Sequence, residues 1–364
     1  MGKKILVSPL SWGLGHATRD LPIIRRFLAD GHQVTIASSG RALELLKHEV
    51  PQCKFEVLED YPLPYTASRW FILKFGATIP RMVRAIFRER AAAKKLIERE
   101  KFDLILSDNR FGVRDKAIPS FFISHQLRFA TPWFLWPFEL LGEAFNRLYH
   151  RKFNRVIITD VADECHNLTG KLAHHMYWPS AKRYYYAGII SSTRKMDLPE
   201  DLDLFITISG PEPQRTEFER IVIGQMAALK KMGRVVITLG KPEQLDCVRP
   251  APNIEVYGFL KRQQQQEMMN RAKLIVSRSG YTTVMEIAEL GKKALFTPTP
   301  GQTEQVYLSE FYEQTRQFHS VSQYTLDLAR DVEIARTFTG FTGQHDTDAN
   351  LDRLFAEVFD PFLK

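Results

Sequence analysis

LIVSRSGYTTVMEIAELGKKALFTPTPGQTEQVY, at residues 274–307, decides the fold of the second half of the chain. Two short apolar runs, LIVS and KALFT, have the length of buried parallel strands, and a helical pattern of apolar residues joins them. Strand, helix and strand in this order form a βαβ unit. The stretch therefore predicts a parallel sheet with small and polar residues where each strand ends.

The same alternation of apolar runs and helical patterns extends along the whole chain. Its further strand candidates are KKILVSP, HQVTIAS, FDLILSD, PSFFISH and RVIITD in the first half, and LDLFITISG, GRVVITLG and NIEVYGF in the second. Alternating strands and helices are typical of the doubly wound α/β class. The chain is therefore predicted to contain two α/β units in succession.

The length of 364 residues exceeds what one compact core usually supports, so two domains are expected. Between the two series, residues 184–203 lose their apolar periodicity and become polar. We predict a first Rossmann-like domain at 1–190, a linker at 191–201 and a second Rossmann-like domain at 202–340. A C-terminal helix at 341–364 is expected to follow, with the option of packing back on the first domain.

Composition restricts the class of protein. The chain is 44% hydrophobic and 25% charged, and it has no run of about 18 uncharged apolar residues, the length that a membrane span requires. Its first residues have no secretion signal, which predicts a cytoplasmic location. Three cysteines without metal-ligand spacing are expected to be reduced. The net charge of +8 indicates an anionic partner, but the basic residues are scattered, which argues against nucleic acid.

A glycine-rich turn, SWGLGHATRD at residues 11–20, follows the first strand candidate and contains Gly13, Gly15 and His16. Such a turn can offer backbone amides and a helix N-terminus to phosphate. It does not match a dinucleotide fingerprint, because Thr18 replaces the third glycine and the second strand ends without an acidic residue. The alternative is a tight turn whose histidine only caps the helix.

Polar residues that are suited to binding a nucleotide lie close together in the second half of the chain. Hydroxyls and amides at a helix start can hold phosphate, and a carboxylate can accept both hydroxyls of a ribose. After the strand LIVS, and after the strand that follows it, the candidates are Arg278, Ser279, Gly280, Thr282, Thr283, Glu286, Gln302, Glu304 and Gln305.

The order of a strand, SRSG, TTVMEIAELGKKALFTP and a TEQ turn resembles the GT-B glycosyltransferases, in particular family 28, which includes the N-acetylglucosaminyltransferase of lipid II synthesis. The resemblance covers the whole chain loosely and residues 257–307 closely. It implies two Rossmann-like domains that face each other across an interdomain cleft. The chain would then act on a nucleotide-sugar donor without an essential metal or other cofactor.

The resemblance also implies individual roles in donor binding. Glu286 would hold the ribose, Thr283 with the amides of Ser279 and Gly280 the diphosphate, and Glu304 with Gln305 the sugar. Phe259, in the segment VYGFL, would lie beside the base, which is predicted to be uracil. The segment ISGPEPQR would add Ser209, Gly210 and Arg215, but prolines replace the usual glycines of this loop, which leaves the identity of the donor open.

In the first half, the resemblance makes His16 the candidate base that removes the proton of an acceptor hydroxyl. Asp108, at the end of a strand, would orient it, although an aspartate in this position can equally cap a following helix. His125, at the end of the next strand, resembles an acceptor-side position of the family. Its alternative is an ordinary loop histidine.

Two stretches bear on the acceptor. ATPWFLWPFELLG, at 130–142, concentrates aromatic residues in a predicted loop, and PRMVRAIFRERAAAKKLIEREK, at 80–101, is a basic amphipathic helix. Together they predict peripheral contact with the anionic inner face of the cytoplasmic membrane and a lipid-borne acceptor. The alternative is that the aromatic residues pack on their own domain and the arginines are only solvated.

The sequence thus predicts an inverting glycosyltransferase that moves a sugar from a nucleotide diphosphate, with uridine expected, to an acceptor hydroxyl. A nucleotide-sugar 2-epimerase of the same fold is one alternative. A protein that binds a nucleotide sugar without catalysis is the other.

Overall fold

The computed structural model describes residues 2–62, 71–131, 136–178, 182–343 and 345–364, except for the side chains of 71–79. The chain divides into two compact units. The first contains Met1–Glu164, Lys171–Ser192 and Asp346–Lys364, and the second contains Cys165–Gly170 and Thr193–His345.

The first unit consists of a sheet and the helices that cover it. Its elements in chain order are β1 (Lys4–Pro9), α1 (Leu14–Ala29), β2 (Gln33–Ser38), α2 (Gly40–Glu49), β3 (Lys54–Val57), α3 (Phe71–Glu100), β4 (Leu104–Asp108), β5 (Ser120–Ser124), α4 (Trp136–His150), β6 (Arg155–Ile158) and β7 (Tyr184–Tyr186). The chain returns to this unit at its end as α11 (Thr347–Leu354), a π-helical turn (Phe355–Phe359) and α12 (Asp360–Leu363).

The second unit repeats this plan. Its elements are β8 (Leu204–Thr207), α5 (Gln214–Ile223), α6 (Met226–Leu229), β9 (Val235–Thr238), β10 (Cys247–Ala251), β11 (Ile254–Tyr257), α7 (Arg262–Arg271), β12 (Leu274–Ser277), α8 (Tyr281–Glu289), β13 (Lys293–Phe296), α9 (Thr303–Gln314), β14 (His319–Ser320) and α10 (Leu328–Arg336).

Each unit contains one seven-stranded sheet. The strand orders are β3-β2-β1-β4-β5-β6-β7 and β10-β11-β9-β8-β12-β13-β14. All neighbouring strands are parallel except β10, which pairs antiparallel with β11 at the edge of the second sheet. The predicted α/β class with two doubly wound sheets is confirmed.

Two local predictions differ from the structure. Residues 109–119 connect β4 to β5 through turns, without the helix that a regular βαβ series predicts. Of the predicted aromatic loop at 130–142, residues 136–142 belong to α4, and 132–135 lie outside the described residues. A proline in the first turn is compatible with a helix, because the first amides of a helix have no partner within it.

Apolar burial accounts for the central strands. Every residue of β4 and β5 is buried, as expected for strands covered on both faces. The C-terminal segment contributes Phe355 and Phe359 to the core of the first unit, where they pack against Phe27. Among the described helices, none has both the length and the apolar composition needed to span a bilayer.

Each of the two units is made of more than one stretch of the chain. The chain enters the second unit at Thr193 and leaves it after His345. The short segment Cys165–Gly170 belongs to the second unit although its flanking residues belong to the first. Its Leu168 carbonyl accepts a hydrogen bond from the Tyr312 hydroxyl at 2.7 Å.

We expect Phe359→Ala to destabilise the first unit by about 3–5 kcal/mol, the usual loss for a buried phenylalanine. Phe359 is fully buried against Phe27 and Phe121, whereas the nearby Phe362 is 42% exposed and provides the control, Phe362→Ala. Urea unfolding monitored by hydrogen exchange resolves the two units. Equal effects of the two substitutions would contradict this assignment of the C-terminal segment.

Candidate active site

The order of strands in the first sheet reverses between β1 and β4, because the chain moves outward from β1 to β3 and then returns to the other side of β1. Ligands of open α/β sheets bind outside the carboxyl ends of the strands at such a reversal. Pro9 at the end of β1 pairs with Asp108 at the end of β4, and Asp108 pairs with Ile123 of β5. The three strand ends therefore lie side by side.

Helix α1 begins at this edge. Gly13 is its N-cap residue, no side chain accepts a hydrogen bond from the cap, and nothing lies within 4 Å of a β-carbon built on Gly13. Gly15 and His16 lie in the first turn. The first amides of the helix are thus available to an anion, in an open part of this unit.

His16 and Asp108 are in contact. The Nδ1 atom of His16 lies 3.1 Å from each carboxylate oxygen of Asp108. The Asp108 side chain is completely buried, while 17% of the His16 side chain is exposed, so that only the histidine can meet a substrate. No helix begins between Asp108 and β5, all of which the structure describes, so Asp108 does not cap one.

Two further residues of α1 belong to this cluster and were missed by the sequence analysis. Arg19 is 1% exposed, and its Nη2 atom donates a hydrogen bond to Asp108, while its Nη1 atom lies 2.9 Å from Nδ1 of His125. Asp20 is fully buried. The available signal was the spacing, because positions 16, 19 and 20 share one face of a helix and that face is the buried one.

Burial and neighbouring charges shift the pKa values of Asp108 and Asp20 in opposite directions. Burial opposes ionisation of Asp108, but the neighbouring Arg19 and His16 outweigh it and hold the pKa of Asp108 below its ordinary value. Burial, reinforced by repulsion from Asp108, raises the pKa of Asp20 well above its ordinary value in spite of Arg19. Asp108 therefore favours the ionised form beside His16, whereas Asp20 favours its protonated form.

The strand order of the second sheet reverses between β8 and β12. Ser209 and Gly210 follow β8, and Gly210 has a φ of +117°, which favours glycine. Arg278 follows β12 and is buried. Its guanidinium donates to four main-chain carbonyls, at Ser209, Gln214, Thr297 and Pro298. Arg278 therefore holds the loops after three strands in place, and its predicted contact with the donor stays a prediction.

Arg215 and Phe259, two other residues predicted to bind the donor, also follow strands of the second sheet. The guanidinium of Arg215 is engaged by the carboxylates of Glu212 and Glu219 and by the carbonyl of Leu239. Phe259 is half-buried in the loop after β11. Arg215 would have to exchange one of these contacts to bind phosphate.

Helix α8 begins directly after Gly280, its N-cap residue, which has no side chain to accept from the first amides. By contrast, Asp327 and Asp346 cap α10 and α11. Thr282, Thr283 and Glu286 are half-buried on the exposed side of α8. Amides, hydroxyls and a carboxylate are thus combined at one helix start, the donors and acceptors that a nucleotide diphosphate requires.

Glu286 has an unusual protonation equilibrium. Burial raises its pKa to about 6, against the opposing effects of the Arg262 charge and a hydrogen bond with Thr193. The carboxylate is therefore ionised at neutral pH but close to its titration range.

The polar turn before α9 forms its own network. The side chain of Gln305 accepts a hydrogen bond from the amide of Thr299 at 2.9 Å and donates one to Gln302, the N-cap residue of α9. Glu304 lies in the first turn of this helix. The hydroxyl of Ser279 donates to the carbonyl of Gln305 at 3.0 Å, which joins the starts of α8 and α9. Ser279 can therefore offer a ligand its amide, while its hydroxyl is occupied.

No group of three or more histidine, cysteine, aspartate or glutamate side chains is arranged for metal binding among the residues that the structure describes. The candidate ligands at both strand edges are instead amides, hydroxyls, carboxylates and imidazoles, which are suited to a nucleotide and a sugar.

Residues 215–323 match the model of the glycosyltransferase family 28 C-terminal domain. Two curated relatives, each described as an uncharacterized glycosyltransferase, come from Methanosarcina acetivorans and Methanosarcina mazei. The first is 30% identical over 131 residues, 34% of this chain and 32% of the relative. The second is 28% identical over 162 residues, 42% of each chain. The matched segments thus span less than half of either relative.

Solved structures resemble the whole chain in fold. The glycotransferase of kitacinnamycin has a TM-score of 0.65 at 15% identity, with 100% of both chains covered. MurG from Acinetobacter baumannii has a TM-score of 0.55 at 16% identity, with 92% of this chain and 89% of MurG covered. A putative UDP-N-acetylglucosamine 2-epimerase from Listeria monocytogenes has a TM-score of 0.63 at 11% identity, with coverages of 100% and 97%. The chain therefore has the GT-B fold of these structures, and residues 215–323 of its second unit match the C-terminal domain of glycosyltransferase family 28.

Proposed function

We propose that the protein is an inverting glycosyltransferase that moves a sugar from a nucleotide diphosphate, with UDP as the expected nucleotide, to the hydroxyl of an acceptor. The observation that carries the proposal is the contact between a partly exposed His16 and a buried Asp108 at the strand reversal of the first sheet. The family 28 domain in the second unit supports the choice of a sugar donor.

The first unit supplies the base in this proposal. Nε2 of His16 takes the proton of the acceptor hydroxyl while that oxygen bonds to the anomeric carbon. The bond between the anomeric carbon and the diphosphate oxygen breaks, and its electron pair leaves with the nucleotide diphosphate. A single displacement of this kind inverts the anomeric configuration. Asp108 accepts from Nδ1 and stabilises the imidazolium that forms.

The second unit binds the donor in this proposal. Glu286 accepts hydrogen bonds from the ribose hydroxyls, and the first amides of α8 with Thr283 hold the diphosphate. Glu304 and Gln305 bind the sugar, and the loop containing Phe259 binds the base. Helix ends and amides can stabilise the leaving diphosphate, so the proposal requires no metal ion or other cofactor.

The surface of α4 supports a lipid-borne acceptor. The usual distribution of side chains is reversed in this helix, because its buried residues are polar, namely Glu139, Glu143, Asn146 and His150. Glu139 is paired with Arg128 at 3.1 Å, so that its charge is compensated inside the unit. On the outside, large apolar side chains are between 45% and 66% exposed, namely Trp136, Phe138, Leu141 and Leu148. A helix that exposes apolar residues and buries polar ones is suited to the interface of a membrane.

The neighbouring helix α3 adds positive charge. Residues of α3 and α4, among them Ile86 and Phe145, pack into one apolar cluster. On the exposed side of α3 lie Arg81, Arg84 and Arg88. Arginines beside an apolar surface favour anionic lipids. We therefore extend the proposal to peripheral contact with an anionic membrane surface, at the inner face of the cytoplasmic membrane.

We expect His16→Ala to lower kcat by roughly 10²- to 10⁴-fold, the usual contribution of a general base, with unchanged donor affinity. Asp108→Asn should also slow turnover and alter its pH dependence. Initial rates in the presence of a chelator, with calorimetric titration of the donor, test both variants. The control is His48→Ala, a histidine on the exposed surface of α2. Loss of donor binding in a folded His16→Ala protein would make His16 a phosphate ligand instead of the base.

Glu286→Gln should weaken donor binding at pH 7.5 by about 1.5–3 kcal/mol, since it removes hydrogen bonds to a charged acceptor. Because the pKa of Glu286 is about 6, wild-type affinity should rise from pH 5 to pH 7 as the carboxylate ionises. The affinity of the variant should change little over this range. Calorimetry measures the affinity at each pH. An intact nucleotide sugar is used as the ligand because it has no terminal phosphate that would itself titrate. Glu310→Gln, at an exposed position of α9, is the control.

Without a donor, the same substitution should have the opposite effect on stability. The pKa of Glu286 is raised in the folded state, so the folded protein loses stability as the pH rises from about 4.5 to about 6. At pH 7, Glu286→Gln should therefore stabilise the free protein by up to about 2 kcal/mol. A donor-independent loss of stability would instead assign Glu286 a purely structural role.

The double substitution Phe138→Glu with Leu141→Glu should abolish binding to vesicles that contain anionic lipid. The wild-type protein should sediment with these vesicles at low salt and be released at high salt, which screens the arginines. Leu245→Glu is the control, since Leu245 is 62% exposed in the second unit. Negligible binding of the wild type to both anionic and neutral vesicles would contradict a lipid-facing acceptor site.

A nucleotide-sugar 2-epimerase is the second candidate, because a putative epimerase has the same fold over the whole chain. An epimerase would convert the donor sugar without any acceptor. Incubation with donor alone, followed by separation of sugar isomers, distinguishes the two activities. A protein that only binds nucleotide sugars would give neither an isomer nor free nucleotide, and His16→Ala would then have no effect.

A further inference from the structure

Basic side chains from three parts of the first unit lie close together. Arg90 of α3 donates from Nη1 to the carbonyl of Arg114, which lies in the connection between β4 and β5. Lys152 follows α4 and places its Nζ atom 4.3 Å from the ring centre of Tyr149. Burial raises the pKa of Tyr149 against the opposing charge of Arg114, so this guanidinium lies near the phenol. We call these four residues the Arg114 cluster.

The side chain of Arg114 is not paired within the part of the chain that the structure describes. Its Nε atom is buried and has no hydrogen-bond partner there. By contrast, Arg110 and Arg128, two buried arginines of the same unit, have carboxylates at 3.0 and 3.1 Å. A buried donor without an acceptor gives up its hydrogen bonds to water and gains none in return, which costs free energy. The arrangement is therefore suited to an acceptor that a ligand supplies.

The Arg114 cluster has more positive charge than its neighbours compensate. Burial lowers the pKa of Arg114, and the charge of Arg90 lowers it further. Burial also lowers the pKa of Lys152, reinforced by Arg114 and Arg90. The carboxylate of Asp115 lies 3.6 Å from Arg90 and compensates one of the three positive charges. Glu89, next to Arg90, is buried and paired with another arginine. A bound anion would offset the remaining charge.

We propose that the Arg114 cluster is a binding site for a phosphate group. A guanidinium presents its N–H donors in a planar fork that matches phosphate oxygens, and an ammonium adds a compact positive charge. The hydroxyl of Tyr149 can donate to a further oxygen. The site uses neither the donor nor the acceptor of the proposed transfer reaction, so it stands independently of that reaction.

Exposed apolar residues beside the cluster indicate the source of the phosphate. Phe87 is 67% exposed and precedes Arg90 by three positions, on the same side of α3. Leu148 is 59% exposed and directly precedes Tyr149 in α4. Apolar side chains next to a cationic site match a phospholipid, which combines acyl chains with a phosphate. A lipid headgroup is therefore the expected source. This source rests on the proposed membrane contact, whereas the phosphate site does not.

Sedimentation with vesicles tests a lipid headgroup as the source. Phosphatidylcholine vesicles contain either phosphatidic acid, which exposes a phosphate, or oleic acid, which exposes a carboxylate, and the two kinds are matched in zeta potential. The wild-type protein should bind the phosphatidic acid vesicles about tenfold more tightly, because charge-assisted hydrogen bonds to phosphate add to the common surface attraction. Arg114→Met should remove this preference. The control Arg81→Met, on the exposed side of α3, should weaken binding to both kinds alike.

Calorimetric titration with inorganic phosphate, at constant ionic strength, tests free phosphate as the source. Phosphate should bind the wild-type protein, and Arg114→Met should weaken this binding about tenfold or more. Arg114→Met is expected to fold, because its guanidinium has no partner to lose and is repelled by two cations. If it does not fold, Lys152→Met, at an exposed position, takes its place in both experiments.

The two experiments together decide the inference. A preference for phosphatidic acid that requires Arg114 supports the site with a lipid headgroup as its ligand. Binding of inorganic phosphate that requires Arg114, without such a preference, supports the site and overturns the lipid source. Equal behaviour of the wild type and Arg114→Met in both experiments would overturn the inference. Neither experiment uses a nucleotide sugar, so an absence of transferase activity would overturn the proposed function and leave these outcomes unaffected.

Discussion

The reversal of strand order beside the first strand of each sheet is the constraint on which the rest of the structure depends. Parallel strands need crossover connections, and these are right-handed, so strands added on opposite sides of β1 place their helices on opposite faces. At the reversal the carboxyl ends of two strands are therefore left uncovered. His16 and Asp108 lie at this point in the first sheet. In the second sheet, α8 and α9 begin after β12 and β13, on one side of the reversal.

A buried arginine lies at each of these edges, and the two arginines have different partners. Arg278 binds neutral carbonyls, and burial lowers its pKa to about 10, so its task is to hold loops. Arg19 is paired with a carboxylate. A buried ion pair gains little stability over an apolar pair, whereas loss of one partner costs about 3–5 kcal/mol. The pair therefore mainly holds the Asp108 carboxylate in place beside His16.

The sequence predicted what depends on local pattern. The inner strands of both sheets, the βαβ order and the placement of Glu286 on a helix after β12 follow from apolar periodicity and from residues near each other in the chain, whereas the edge strands were not among the predicted ones. The contacts of Arg19 could not be predicted, because its partners Asp108 and His125 are 89 and 106 residues away. The burial of Glu139 on α4 likewise depends on Arg128 and on packing rather than on the sequence of the helix.

Hydrogen–deuterium exchange of the full-length protein with and without UDP tests most directly whether the second unit binds a nucleotide diphosphate at its strand reversal. Bound UDP should slow exchange at Ser209 and Gly210 and in the first turn of α8. The amides of α10, whose first turn is capped by Asp327, should be unaffected. Exchange that is unchanged at the start of α8 at saturating UDP, or protection confined to another edge of the sheet, would contradict it.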